Sequence, residues 1–205
     1  MRGSDIALAT LMRENPQAPC INFCWMTNSA YMSRLTGRNY WANRETAFFE
    51  YLRQAGINLV PQWYFPGDGQ RRLEDGRMMH EHLAGGTEAV CNPGEIRAIV
   101  EQLLGVAGLQ GFEEEHGVSY DAIVKLKDRR DRPIGVWGCV SVTSTLPHGT
   151  VEDVKRSVER SFTAAGKDRG FVLSSTSSIM PEVPHANIDV LFKHGKQFGR
   201  EFLST

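Results

Sequence analysis

The chain has 205 residues, 23 basic and 24 acidic side chains and 41% hydrophobic content, the make-up of a globular domain with one sizeable core. A formal net charge of -1 gives no electrostatic reason to expect nucleic acid or an anionic membrane as partner. No apolar run approaches the ~20 residues that a membrane span needs. Four cysteines in a chain this long do not make a secreted disulfide framework, and the short apolar stretch 6–12 has no cleavage-type residues behind it, so a cytoplasmic location is expected.

Ser4 and Asp5 are expected to cap a first short helix that Asn15-Pro16 stops. Residues 19–25, PCINFCW, read as a buried first strand, and 26–42 as a long loop of polar and aromatic residues. Asn43 opens a helix with Phe48, Leu52 and Ala55 at helical spacing, ended by Gly56. A second strand follows over 57–65, broken by Pro61. From Pro66 the text turns polar and Gly-punctuated, with material for one weak helix at most. Asn92-Pro93-Gly94-Glu95 is a capping box with Pro at the first helical position, and Ile96, Ile99, Val100, Leu103 and Leu104 form an apolar stripe behind it. Further strands are predicted at 106–112, 134–142 and 170–175, separated by helices from 119 to about 127 and from 150 to 165. In the second of these Thr150 is the N-cap, and Val154, Val158, Phe162 and Ala165 face inward. The cationic cluster 125–132 reads as a solvated turn. A last helix begins near Pro184 and uses Ile188, Leu191 and Phe192. Strands alternating with helices predict βαβ units in a parallel sheet.

Three blocks, GVAGLQGFEEEHGVSYDAI, IGVWGCVSVTSTLPHGT and GFVLSSTSSIMPEVPHANI, carry a likeness beyond pattern. In them the chain resembles the C-terminal part of the uroporphyrinogen decarboxylase family. Residues 1–65 look like the N-terminal arm and first two β/α units of that family, and residues 92–193 like its last three. The resemblance implies an α/β fold, an incomplete (β/α)8 TIM-barrel-like domain with about five recognisable parallel strands where a closed barrel has eight. It implies one domain over 1–205, with 1–65 as N-terminal units, 66–91 as a junction replacing missing units, and 92–205 as C-terminal units. A smaller, self-sufficient α/β layer is the alternative. An incomplete barrel leaves sheet edges open, so a homo-oligomer is expected.

In such barrels functional groups gather at the C-terminal ends of the strands. That rule nominates Thr27, Asn28 and Tyr31 after the first strand, and Gln62 and Tyr64 after the second. Gln110, Glu113 and Glu114 follow the third run, Trp137, Ser141 and Thr143 the fourth, and Ser175, Thr176 and Ser177 the last. Trp25, Trp63 and Trp137 are candidates to floor a flat ligand, as well as to pack a barrel top. Amides and hydroxyls suit hydrogen bonding to a polar small molecule and supply few groups that titrate near neutrality.

The family's decarboxylases act without a cofactor on a tetrapyrrole bearing many carboxylates. They place two arginines after strand 1, which bind acetate and propionate groups, and an aspartate near strand 2, which faces the pyrrole nitrogens. At the matching positions this chain carries Thr27 and Tyr31, with Asn58 nearest to the aspartate and Ser177 where a histidine is expected. Arg34 and Arg38, further along the same loop, are candidates for carboxylate binding, weighed against exposed arginines on a loop. Tyr31, Asn58, Glu113 and His116 are the candidates for catalysis, although Glu113 to Glu115 also reads as a solvated loop and His116 as a capping residue. The ligand implied is a tetrapyrrole or other polycarboxylate.

The family's other branch, methyltransferases serving corrinoid proteins, uses zinc held by a His-x-Cys pair and a later cysteine. Here Ala89-Val90-Cys91 and Ser177 leave one ligand of three, so no metal is expected. Cys20 and Cys24, four apart on a strand, would face one side and read as core. His80, His82 and His194 read as surface residues and His148 as structural. Decarboxylation of a porphyrinogen-type substrate is the first expectation, and a binding or assembly subunit that has lost catalysis the second.

Overall fold

The computed structural model describes residues 3–14, 18–60, 70–72, 78–80, 109–110, 125–127, 131–165, 167 and 170–205. Helix α1 (Gly3–Met12) leads into strand β1 (Cys20–Ile21), then α2 (Ser29–Thr36) and α3 (Arg44–Ala55). Strands β2 (Gln70–Arg72), β3 (Met78–His80), β4 (Leu109–Gln110) and β5 (Val136–Val140) follow. The short α4 (Thr145–His148), α5 (Val151–Ala165), β6 (Phe171–Ser175) and α6 (His185–Ser204) complete the order.

Four strands form one parallel sheet in the order β1-β6-β5-β4, so the first strand of the chain lies beside the last. Cys20 pairs with Val172 and Ile21 with Leu173, and one residue further Asn22 makes a parallel bridge to Leu59. The fold is mixed α/β, and the described strands make an open sheet rather than a closed ring.

Successive residues of a strand point to opposite faces, and the two faces here have different covers. Ile21, Val136, Val140, Phe171 and Leu173 enter a large buried cluster. That cluster also holds Phe48 and Tyr51 of α3, Val158 and Phe162 of α5, and Ile188, Leu191 and Phe192 of α6. Cys20 and Val172 point the other way, onto Ala7 of α1, with Ile6, Leu59 and Trp137 around them. Helices α3, α5 and α6 therefore cover one face, and α1 covers part of the other.

α5 and α6 form as the sequence predicts. Thr150 Oγ1 accepts the Asp153 N–H at 3.2 Å while the Thr150 N–H donates to the Asp153 carboxylate at 2.8 Å, a reciprocal capping box. Val154, Val158, Phe162 and Ala165 are all buried, and each of the larger side chains contributes about 1.5–3 kcal/mol by leaving water. α6 lies close to its neighbours because two of its turns lack side chains. A Cβ at Gly199 would stand 2.6 Å from Pro19 Cβ and 2.7 Å from Phe162 Cζ.

Four expectations need correction. The stretch 26–42 is not all loop: it contains α2. The Asn28 side chain accepts the Tyr31 N–H, and Gly37 closes the helix in the left-handed region at φ 67°. Only Tyr31 and Met32 of α2 are buried, so its apolar stripe is too short to register as a helical period. The first strand is shorter than 19–25, because Cys24 and Trp25 adopt φ of 58° and 39°, which ordinary side chains rarely take. The region after Pro66 holds an antiparallel pair, β2 with β3, where at most a weak helix was expected. The helix expected from 119 to about 127 lies outside the described residues up to 124; at its expected end 125–127 are not helical, and Lys127 makes an antiparallel bridge to Pro133. The helix expected after Asn92-Pro93 lies outside the described residues.

Candidate functional site

The C-terminal ends of β1, β5 and β6 converge, as parallel neighbours must. β1 delivers Asn22, fully buried, whose Nδ2 donates to Ser174 Oγ at 2.9 Å; Ser174 in turn donates to the Ser175 carbonyl at 2.9 Å. Asn22 Oδ1 is buried with no donor among the described residues. The next turn sends Trp25 across to Trp137 of β5, and the two indoles stack with centroids 6.3 Å apart at 24°. β4 brings Gln110 into register with Trp137. Trp137 packs against the Cys20 and Val172 cluster, opposite the three long helices, whereas Trp25 packs against the helix-covered core beside Phe23. Trp137 is the second residue of β5, level with Val172 and Cys20, and not at the C-terminal end where it was expected.

Hydroxyls lie at the C-terminal ends of β5 and β6, and most of them stitch loops together. Ser141 Oγ accepts the Ser144 N–H at 3.0 Å and the Ser144 hydroxyl at 2.7 Å, fixing the turn into α4. Thr176 Oγ1 accepts the Val142 N–H at 3.1 Å, tying the ends of β5 and β6. Ser175 donates to the Ser177 carbonyl at 2.6 Å, and the Ser177 side chain is exposed. Thr27 is turned inward, its hydroxyl donating to the Ile179 carbonyl at 2.9 Å.

Asn28 is structural in this geometry. Its side chain is buried, accepts the Tyr31 N–H at 2.8 Å, and points Nδ2 at the carbonyls of Met180, Pro181 and Val183, the nearest 3.1 Å away. Both ends of the amide are thus spent on the protein.

The Tyr31 hydroxyl donates to Asp189 of α6 at 3.0 Å, and the Arg34 guanidinium reaches the other Asp189 oxygen at 2.9 Å. Arg34 also lies over the Tyr31 ring, 5.1 Å from its centroid, and Lys193 stands 3.6 Å from the same carboxylate. Burial chiefly, then Asp189, holds the Tyr31 phenol well above its ordinary range, partly offset by Arg34. Tyr31 therefore stays a phenol at neutral pH, and Arg34, expected to meet substrate carboxylates, is held by a carboxylate of its own chain. Arg38 is exposed at the end of α2.

Asn58 is a clear correction. It precedes the Leu59 bridge, so it lies at the N-terminal end of its strand. Its Oδ1 accepts the Ile21 N–H at 3.0 Å, and it lines a cavity with Pro19 and Lys196. Cys20 and Cys24 also part company. Cys20 belongs to the α1 side and Cys24 to the helix-covered core, since the left-handed turn after β1 breaks the strand alternation. Burial pushes the Cys20 thiol up to about 12, against a smaller opposing effect of Thr10. Burial raises Cys24 as well, despite the Ser175 N–H donated to its sulfur at 3.3 Å. Neither is a thiolate nucleophile.

His194 is partly buried: its Nε2 lies 2.8 Å from Glu159 across the α5–α6 contact. His148 ends α4, its N–H bonded to the Ser144 carbonyl. Gln62, Trp63, Tyr64, Glu113, Glu114, His116 and Cys91 lie outside the described residues, as does His82. Among the described residues no group of three His, Cys, Asp or Glu side chains is placed to hold a metal ion.

Sequence reasoning missed Asn22 and Ser174. A lone asparagine inside PCINFCW was the available signal, because a polar side chain in a buried strand needs a buried partner. Asn22, Trp25, Trp137, Ser141, Ser174 and Thr176 are uncharged at neutral pH, so they offer stacking and hydrogen bonding and supply no acid–base pair. No helix among the described residues is long and apolar enough to cross a membrane. No family model, curated protein or solved structure matches the chain.

Proposed function

We propose that the chain is a uroporphyrinogen decarboxylase-like protein whose described sheet is an arc of a (β/α)8 barrel. Its ligand is a porphyrinogen-type polycarboxylate, and the reaction is loss of carbon dioxide without a cofactor, or a related one-carbon step in the same pocket. The observation that carries this reading is the strand order. Around a (β/α)8 ring the first strand neighbours both the second and the last, and each late strand neighbours the one before it. Leu59, β1, β6, β5 and β4 follow that sequence, all parallel. A doubly wound sheet would carry crossover helices on both faces, whereas α3, α5 and α6, which follow strands of this sheet, share one face, and α1 on the other face precedes β1. Trp137, on the face opposite the three long helices and stacked on Trp25, offers a flat, apolar surface for a tetrapyrrole ring. A soluble, cytoplasmic protein that associates with its own copies through the open sheet edge belongs to the same proposal.

Carbon dioxide release from uroporphyrinogen, followed with purified protein under reducing conditions, tests the activity. Release above a heat-denatured control supports it, and none at saturating substrate removes it. A second reading is favoured by a specific observation: Arg34 is engaged by Asp189 and Asn58 faces the wrong end. On that reading the chain binds such a ligand, or a partner subunit, without transforming it. Quenching of tryptophan fluorescence by porphyrinogen without carbon dioxide release selects this second reading. Stoichiometric zinc in purified protein would instead favour the methyltransferase branch.

A further inference from the structure

Between α1 and the facing ends of α3 and α6 lies a cavity of about 360 Å³, at the small end of the range for metabolite pockets. Lys196 and Arg200 line it from α6, four residues apart and so on one helix face. Arg53 lines it from α3, with its guanidinium already taken by Glu50. No carboxylate lines the cavity among the described residues, and neither Lys196 nor Arg200 makes an ion pair or hydrogen bond with a described residue.

The cation arrangement has a cost that nothing nearby offsets in full. Lys196 is partly buried, and burial first, then Arg200 and Lys193, holds its pKa below the ordinary lysine value. Its ammonium sits against Gly56, where a Cβ would collide with it, at the C-terminus of α3. The partial negative charge of a helix end, about half a unit, falls short of two full positive charges. Asn58 adds a directed donor. Its Oδ1 is spent on the Ile21 N–H, so its Nδ2 is what remains for a ligand. Every side-chain polar group left for a ligand is a donor.

We infer that this cavity is a binding site for a small anion with clustered phosphoryl oxygens, held by Lys196 and Arg200 and oriented by the Asn58 amide. A phosphoryl group brings nearly two negative charges and several acceptor oxygens at neutral pH, matching two cations where a single carboxylate matches one. Neither Trp25 nor Trp137 lines the cavity, so the site stands or falls separately from the decarboxylation.

Calorimetric titration of the full chain with sodium pyrophosphate at low ionic strength tests it, with citrate titrated in parallel at matched ionic strength. Saturable binding of one pyrophosphate per chain is expected, tighter than citrate. Arg200→Gln, a change at an exposed side chain that leaves the packing untouched, should weaken it about ten-fold, the scale of one lost charge-assisted hydrogen bond. Lys196→Gln should do the same and Lys196→Arg should restore binding, while Lys155→Gln, a cation on α5, should change nothing. Absence of saturable binding, an equal loss in Lys155→Gln, or citrate binding as tight as pyrophosphate each overturns the assignment.

Discussion

Asn28→Ala separates a structural role from a ligand-contacting one. The substitution removes the acceptor that caps α2, a loss of about 1 kcal/mol for an N-cap. It also removes the amide donor that faces the carbonyls of Met180, Pro181 and Val183. Leaving buried acceptors unsatisfied costs a further ~1–3 kcal/mol, because Asn28 is fully buried and its vacated site has no ready access to solvent. Together the loss is about 3 kcal/mol, a large share of a typical ~5–15 kcal/mol stability. With a urea m-value of ~2 kcal/mol/M, the unfolding midpoint should fall by about 1.5 M at unchanged m. Asn28→Ser keeps a capping oxygen and should recover about 1 kcal/mol of the loss. A loss below about 1 kcal/mol for the alanine variant would refute the account, since the cap alone is worth that much. Asn28 would then be free to serve a ligand.

Alkaline unfolding should be governed by Tyr31 and Tyr51. Burial is the leading cause in both and raises their folded-state pKa values, so the folded chain keeps protons that the unfolded chain loses above about pH 10. Their contribution is fully present below that pH and lost above it; Tyr51→Phe should flatten the alkaline fall in stability. Titration of all five tyrosines at ordinary values without unfolding would contradict this. Cys20 and Cys24 should resist thiol reagents in the native chain and react after denaturation, as peptide mapping would show; rapid native labelling of Cys24 would mean that its burial is wrong. Gly199→Ala should destabilise by ~1–3 kcal/mol through overpacking against Pro19 and Phe162, and an unchanged melting temperature would show that α6 does not approach so closely.

What the sequence made legible was local. Thr150 and Asp153 cap α5 as read, since both groups of the box lie within one turn. The inward faces of α5 and α6 also follow from a 3.6-residue period that needs no distant partner. Features that depend on distant partners are not legible in the same way. Arg34 looked available for a substrate carboxylate because Asp189, its partner, lies far along the chain. Asn58 looked like a mouth residue because nothing in INLVP shows where along its strand the bridge to Asn22 falls. α2 was hidden for a different reason: its stability rests on two caps and on Tyr31 docking to α6, with little apolar stripe of its own.

The assembled site belongs to a seam. Asn22 and Ser174 meet across a separation of 152 residues, and Thr27 and Asn28 bond to 179–183 across a similar span. None of these contacts exists until the first strand docks on the last, and closing a loop of that length costs entropy that only the finished interface repays. The polar pair and the inward amides therefore specify which strands meet as well as decorating their ends. A ligand stacked on Trp25 and Trp137 would touch β5 and the turn after β1 at once, two elements joined through β6. Its binding free energy would add to that of the seam, so a cognate ligand should raise the stability of the whole chain and not only of the pocket.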